Sequence, residues 1–115
     1  MRLIYLVALA GIVSLVAVFG GVPGAHNANK GAKVQVGDDF FNPTSISIGK
    51  GTKVTFKWIG TDKHNVVKAK GPGGSFSSGT TDQTGFKFKH KFKKAGKYKL
   101  ICTVHDDMKM KIKVK

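Results

Sequence analysis

The chain has 115 residues, about the length of one small domain. Its 20 basic and six acidic residues give a formal net charge of +14, which favours anionic partners. All but one of the basic residues are lysines, which argues against a dedicated nucleic-acid reader. A single cysteine, Cys102, excludes an intramolecular disulfide and any metal centre that needs two cysteines.

The N-terminus has the pattern of a secretory signal peptide. Arg2 precedes an apolar run from Leu3 to Phe19, and the small, polar stretch VPGAHNANKG follows. We therefore predict a signal peptide at residues 1–28 and one domain at residues 29–115, exported to the periplasm, the cell surface or the extracellular medium. The alternative is an uncleaved anchor that holds the protein at a membrane, because the apolar run is near the lower limit of a membrane span, roughly 17 residues.

From Lys33 onward, apolar and polar residues alternate in short runs, as they do in half-buried β-strands. The runs are KVQV, SISI, TKVTFKW, FKFKHKFK, KYKLIC and KMKIKVK, and turn-forming residues separate them. This part of the sequence shows no convincing helical periodicity. The pattern predicts an all-β sandwich or barrel of about seven short strands, with lysines on the solvent side discouraging edge-to-edge pairing.

The stretch CTVHDDMKM places Cys102, His105 and two methionines on a short loop before the last strand. Thiolate, imidazole and thioether groups together suit copper, and a type 1 site needs one more histidine and a weak axial methionine. His26 lies in or beside the predicted signal peptide, and His90 lies in mid-strand among phenylalanines, where a packing role is expected. His64, in TDKHNVV, is our candidate because a strand end holds a ligand rigidly.

The chain resembles the cupredoxins, the type 1 blue copper proteins of the plastocyanin, amicyanin, pseudoazurin and halocyanin group. The matching segments cover most of the predicted domain and are FNPTSISIGKGTKVTFKW, DKHNVV, FKHKFKKAGKYKLICTVH and MKMKIKVK. The resemblance implies a Greek-key β-sandwich of seven to eight strands with one mononuclear type 1 copper. It also implies an electron carrier that works between redox partners and is not an enzyme.

The resemblance also assigns roles to individual residues. His64, Cys102 and His105 match the copper ligands, and the exposed ring edge of His105 matches the usual electron exit of the family. Asn65 and Thr103 match residues whose hydrogen bonds tie the two ligand loops together.

Loop length within the family decides which methionine is the axial ligand. Members with a long loop place it eight residues after the cysteine, at Met110 here, and members with a short loop place it six residues after, at Met108. In the family, apolar strand residues follow the axial methionine after four and six residues, and from Met108 these are Ile112 and Val114. We therefore predict Met108 as the axial ligand, with Met110 as the alternative.

Three other functions remain as alternatives. A copper-delivery protein would use the same ligands and release the metal readily. A basic module that binds polyanions would account for the lysines but not for the ligand set. A Cys–His nucleophile pair would make an enzyme, but no orienting acid or oxyanion device is evident in the sequence.

We predict an exported, monomeric electron carrier. The predicted domain carries 19 lysines against six aspartates, a net charge of +13 that would attract a redox partner with an acidic docking surface.

Overall fold

The structure is a computed structural model, and it describes residues 31–115. The predicted signal peptide or anchor at residues 1–28, and the first two residues of the predicted domain, lie outside the described residues. Within residues 31–115 the chain forms strands and turns, and it contains no helix long and apolar enough to cross a membrane.

Eight β-strands form two four-stranded sheets. The strands are β1 (Ala32–Gly37), β2 (Phe40–Asn42), β3 (Ser45–Ile48), β4 (Thr52–Trp58), β5 (Val67–Lys70), β6 (Lys87–Phe92), β7 (Gly96–Ile101) and β8 (Lys109–Val114). The first sheet has the strand order β2-β1-β4-β6, and the second has the order β3-β8-β7-β5. Both sheets are mixed, because β1 runs parallel to β4 and β3 runs parallel to β8. The predicted all-β sandwich of seven to eight strands is confirmed.

The alternation in the sequence decides which side chains enter the core, because successive side chains of a strand point to opposite faces. In β4, Val54, Phe56 and Trp58 are buried, while Lys53 and Lys57 face the solvent. In β8, Met110, Ile112 and Val114 are buried in the same way. The inner faces of the two sheets thus close one hydrophobic core, which ends beside the loops that follow β4 and β7.

Two strands are not predicted by the alternation, and both lie at the edge of a sheet. β2 has only three residues, too few to show a period of two. β5 has the sequence VKAK, and its register shifts between Lys68 and Lys70. The Lys68 ammonium group donates hydrogen bonds of 2.7 to 3.0 Å to the carbonyl oxygens of Gly71, Pro72 and Gly73, which ties β5 to the turn that follows it.

His90 is a packing residue, as predicted. Its ring stacks on Phe76 with 3.8 Å between ring centroids and meets the Phe92 ring edge-on at 4.7 Å. Burial, and secondarily the positive charge of Lys68, lower the pKa of His90 below its usual value. The fold therefore favours the neutral imidazole at this position.

His90 should make the protein less stable in mild acid. Because its pKa is lower in the folded chain than in the unfolded chain, where it is about 6.5, the unfolded chain binds more protons once the pH falls towards that value. The free energy of unfolding should therefore fall as the pH drops through 6.5, until the folded-state pKa is passed.

Urea unfolding of copper-free protein at neutral and mildly acidic pH measures this effect, with His90→Phe as the comparison. The variant should lose less stability than the wild type between the two pH values, since only the wild type carries the His90 imidazole. Equal losses in the two proteins would contradict the prediction.

Candidate metal centre

The candidate site lies where the segments after β4 and β7 meet at one end of the sandwich. The backbone of His64 pairs with Thr81 through two hydrogen bonds of 3.0 and 3.1 Å, which hold it as an isolated bridge outside the main sheets. Cys102 directly follows β7, and its N–H donates to the Met108 carbonyl oxygen at 2.9 Å. Backbone hydrogen bonds thus fix the two segments that carry the predicted ligands.

The structure brings His64, Cys102 and His105 together. One ligand atom from each residue lies within 4.8 Å of those of the other two, which is the arrangement expected around a single metal ion. Cys102 Sγ is 3.8 Å from His105 Nδ1, and the two imidazole rings are 4.7 Å apart between centroids. His64 and Cys102 are buried, while His105 is partly exposed.

The two ring nitrogens of His64 have different partners. Nε2 lies 2.9 Å from the Asp38 Oδ1 carboxylate oxygen, so it carries the proton and donates it in a hydrogen bond. Nδ1 is buried without a hydrogen-bond partner among the described residues. A buried nitrogen with a free lone pair is costly unless it binds something, and a metal ion beside Cys102 would supply the missing partner.

Asp38 is the residue that orients His64, and the sequence did not single it out. Its carboxylate accepts the hydrogen bond from His64 and two more from the backbone N–H groups of Thr61 and Asp62. These bonds, with that from His64 first, lower the pKa of Asp38 to about 2, so the group is ionised at neutral pH. Gly60 makes the approach possible, since a Cβ at that position would overlap the Asp38 carboxylate.

Hydrogen bonds between Asn65 and Thr103 join the segments that carry His64 and Cys102. The Thr103 N–H donates to Asn65 Oδ1 at 2.8 Å, and Asn65 Nδ2 donates to Thr103 Oγ1, also at 2.8 Å. A further bond from Asn65 Nδ2 reaches Thr80 Oγ1 at 3.0 Å. The residue after His64 is thereby tied to the residue after Cys102, which restrains the distance between the two ligands.

His105 is the ligand candidate nearest to the solvent. Its side chain is 22% exposed, and Nε2, on the ring edge away from Cys102, lies 4.0 Å from the Asp39 carboxylate. Val104, the preceding residue, is well exposed. The outer edge of the ring therefore meets a surface that combines an apolar side chain with a negative charge.

The two methionines occupy different places in the β7–β8 ladder. Met110 is opposite Leu100, and the hydrogen bond between the Cys102 N–H and the Met108 carbonyl continues this register with Met108 opposite Cys102. Both methionines are buried. A cavity of about 340 Å³ is lined by Cys102, His105 and Met108, among others, but not by Met110.

The described residues fit copper by the chemistry of their donor atoms. A buried thiol, two imidazole nitrogens and a neighbouring thioether form a mixed sulfur and nitrogen set that suits both Cu(I) and Cu(II). An eight-stranded sandwich that carries this set at one end defines the cupredoxin class of proteins.

Comparison with known proteins agrees with this classification. The model of the copper-binding proteins of the plastocyanin/azurin family matches residues 28–115, so the chain belongs to this family, whose metal is copper. A halocyanin from Natronomonas pharaonis is 36% identical over 66 residues. That match takes in 56% of this chain but only 40% of the halocyanin.

Solved structures share the fold. A purple cupredoxin from Nitrosopumilus maritimus has a TM-score of 0.64 at 25% identity, over 73% of this chain and 99% of its own. An amicyanin from Paracoccus versutus has a TM-score of 0.65 at 23% identity, over 74% of this chain and 81% of its own. A copper-containing nitrite reductase from Thermus scotoductus matches at 26% identity and a TM-score of 0.63, over 73% of this chain and 22% of its own.

Removing the Asp38 carboxylate should weaken copper binding. In Asp38→Ala the buried Nε2–H of His64 loses its acceptor, and nothing then selects the tautomer that leaves Nδ1 free. We expect copper affinity to fall by about 10- to 100-fold, the usual effect of removing a hydrogen-bond partner of a metal-binding histidine.

Competition with a copper chelator measures this change, and Asp62→Ala is the matched control. The control removes one aspartate charge from the segment that carries His64, and it leaves the Asp62 backbone N–H that donates to the Asp38 carboxylate. Equal losses in the two variants would show that charge near the site matters and that the bond to His64 does not.

Proposed function

We propose that the protein is an exported type 1 copper protein that carries single electrons between redox partners. The observation that carries the proposal is the cluster of His64, Cys102 and His105, in which the buried Nδ1 of His64 has no hydrogen-bond partner within residues 31–115. Copper bound there would exchange one electron by cycling between Cu(I) and Cu(II).

His64, Cys102 and His105 would be the planar ligands, and Met108 the axial ligand. The position of Met108 opposite Cys102 in the ladder supports this choice, whereas Met110 lies two residues further into the core. The chain's own contribution is rigidity, because hydrogen bonds among Asp38, Asn65 and their partners hold the ligand segments in place before a metal arrives. A rigid site limits the rearrangement that accompanies each electron transfer.

Electrons would enter and leave through His105. It is the partly exposed member of the cluster, and its outer edge faces the solvent beside Val104. The net charge of the predicted domain would draw an acidic redox partner from a distance, and the partner would then meet the His105 surface. We propose a monomer, since the same positive charge makes copies of the chain repel one another.

We propose that the chain is not an enzyme, although a related fold occurs in a nitrite reductase. The thiol of Cys102 is buried, and as a copper ligand it would not be free to act as a nucleophile. Export rests on the signal-like pattern of residues 1–28.

The absorption spectrum of copper-loaded protein, followed during a redox titration, tests the proposal. We expect an intense visible thiolate-to-copper band that disappears on reduction and returns on oxidation. Because one relative is described as purple, the position of the band is part of the measurement. Colourless copper binding would contradict a type 1 site, and labile binding of Cu(I) alone would indicate copper delivery.

A further inference from the structure

Most charges of the chain are segregated by location, although Asp107 also lines a depression with Lys99 and Lys111. All six aspartates lie in the turns and loops at the metal end or next to a residue that contacts it; they are Asp38, Asp39, Asp62, Asp82, Asp106 and Asp107. Lysines instead alternate along the outer faces of both sheets. The metal end and the sheet faces are therefore suited to different partners.

The outer faces of both sheets carry like-charged pairs across strands, and in the first sheet these are Lys53 beside Lys91 and Lys57 beside Lys87. The second sheet differs because three lysines form one continuous row. We call its outer face the second-sheet lysine face, and it consists of Lys70, Lys97, Lys99, Lys111 and Lys113. Pairing of β5, β7 and β8 places three of these residues in one row across the strands, Lys70 beside Lys99 and Lys99 beside Lys111. Lys97 and Lys113 form a second like-charged pair. Such directly opposed like charges destabilise a sheet.

Edge protection does not explain this face. Lysines are useful on edge strands because they prevent pairing with other chains, and this accounts for the lysines of β6, which is an edge strand. β7 and β8 are the two central strands of the second sheet, and they carry four of the five lysines of the face. Within residues 31–115, no carboxylate lies within 4.0 Å of any of the five ammonium groups.

The shape of the face favours an extended anionic surface as its occupant. The five lysines line a shallow depression of about 410 Å³, together with Ser45. Its lysines form a two-dimensional array, which matches a plane of charges better than a linear polymer. Lysine is a hydrated point charge and makes diffuse contacts, unlike the planar arginine fork of stereospecific phosphate recognition.

A protein partner or a single-stranded nucleic acid fits this face poorly. Protein interfaces are depleted in lysine and enriched in aromatic anchors, and single strands bind by stacking on exposed aromatic rings. The large apolar side chains that are exposed within the described part of the chain are Phe40, Ile59 and Val104. All three lie in or next to segments of the metal end, away from the lysine face.

We propose that the second-sheet lysine face binds the protein to a membrane surface rich in anionic phospholipid headgroups. Each lysine near such a surface adds attraction, and several together hold a protein reversibly at physiological salt. The sheet lies flat on the headgroups, and the metal end stays at the side, where His105 remains open to a redox partner that shares the membrane. The proposal involves the lysines alone, so it holds with or without copper.

Vesicle co-sedimentation of the full chain at physiological ionic strength tests the proposal. The probes are vesicles of phosphatidylcholine alone and of phosphatidylcholine with an equal part of phosphatidylglycerol. Any binding by the N-terminal apolar run contributes to both, so the ratio of the two partition coefficients isolates the anionic contribution. We expect wild-type protein to prefer the anionic vesicles strongly, and equal partition into both would overturn the proposal.

Two matched variants separate the contribution of the second-sheet lysine face from that of the net charge. The first variant combines four substitutions on the face: Lys97→Gln, Lys99→Gln, Lys111→Gln and Lys113→Gln. It should lower the anionic partition coefficient by about 100-fold. The control variant removes four charges from the first sheet by combining Lys53→Gln, Lys57→Gln, Lys87→Gln and Lys91→Gln. It should lower the anionic partition coefficient less than about fivefold, because salt screens charges beyond about 8 Å. Equal losses would show that only net charge matters.

Two further measurements complete the test. The double variant Lys99→Gln/Lys111→Gln interrupts the central row with fewer substitutions. It should lower the anionic partition coefficient by about tenfold. This variant keeps the test valid if the variant with four substitutions folds poorly. Heparin serves as a soluble polyanion. Heparin binding with the same lysine dependence, combined with no binding to anionic vesicles, would assign the face to a polymer and overturn the proposal.

Discussion

Cys102→Ser should abolish the visible thiolate-to-copper band and lower copper affinity by at least about 100-fold, a larger loss than that expected from outer hydrogen-bond partners of the ligands. Cys102 is the one cysteine of the chain, so no second thiol can replace it. Its sulfur is buried 3.8 Å from His105 Nδ1, and serine places a harder oxygen donor at the same point. Two histidines and a thioether remain, which bind copper more weakly and without the colour of a thiolate.

The same substitution should leave the fold in place. Serine is close to cysteine in size, and burying its hydroxyl group costs about 1 to 3 kcal/mol of unfolding free energy. Far-UV circular dichroism and urea unfolding of the copper-free variant measure this cost. A folded variant that keeps the intense band would show that the band does not arise from a thiolate, and it would refute the proposed site.

Most of the strands can be predicted from the alternation of apolar and polar residues. The strands that cannot be predicted in this way have a physical reason. Long central strands such as β4 and β8 bury one face completely, so every second residue must be apolar. β2 has only three residues, and β5 buries neither of its faces completely, so the side chains of these two strands need not alternate. The bulge in β5 further obscures its period.

Some residues of the candidate site could also be predicted from the sequence, whereas others could not. Cys102 and His105 stand out in the sequence because soft and nitrogen ligands share one short loop, and in the structure their ligand atoms lie close to that of His64. Asp38 could not be predicted, since it lies 26 residues before His64 in the sequence and the bond depends on how β1 and β4 pair. An aspartate in a turn after a strand is ordinary, so its sequence context carries no signal of a metal-site role.

Segregation of charge gives the sandwich two surfaces with different proposed partners, the metal end and the second-sheet lysine face. The metal end combines aspartates with the exposed apolar residue Val104 beside His105, while the second-sheet lysine face has no carboxylate within ion-pair distance among the described residues. Attraction to a membrane or to an acidic partner therefore need not compete with contact at His105. Net charge governs the rate of encounter, and the metal end governs which encounters transfer an electron.

Met108→Gln should lower the reduction potential far more than Met110→Leu. The prediction follows from the β7–β8 register, in which Met108 is opposite Cys102 and Met110 is opposite Leu100. Opposed residues of adjacent strands place their side chains on the same face, so Met108 is the methionine beside the cysteine sulfur. An amide oxygen in place of the thioether favours Cu(II) over Cu(I), and the axial ligand is one determinant of the potential of a type 1 site.

Met110 should instead contribute to stability. It is buried on the core face of β8 together with Ile112 and Val114, so Met110→Ala should cost about 2 to 5 kcal/mol of unfolding free energy and Met110→Leu less than about 1.5 kcal/mol. Redox titration and urea unfolding of the same three variants therefore give opposite rankings for the two positions. A larger shift in potential for Met110→Leu than for Met108→Gln would transfer the axial role to Met110. That result would also require the loop from Cys102 onward to leave the register set by the bond between Cys102 and Met108.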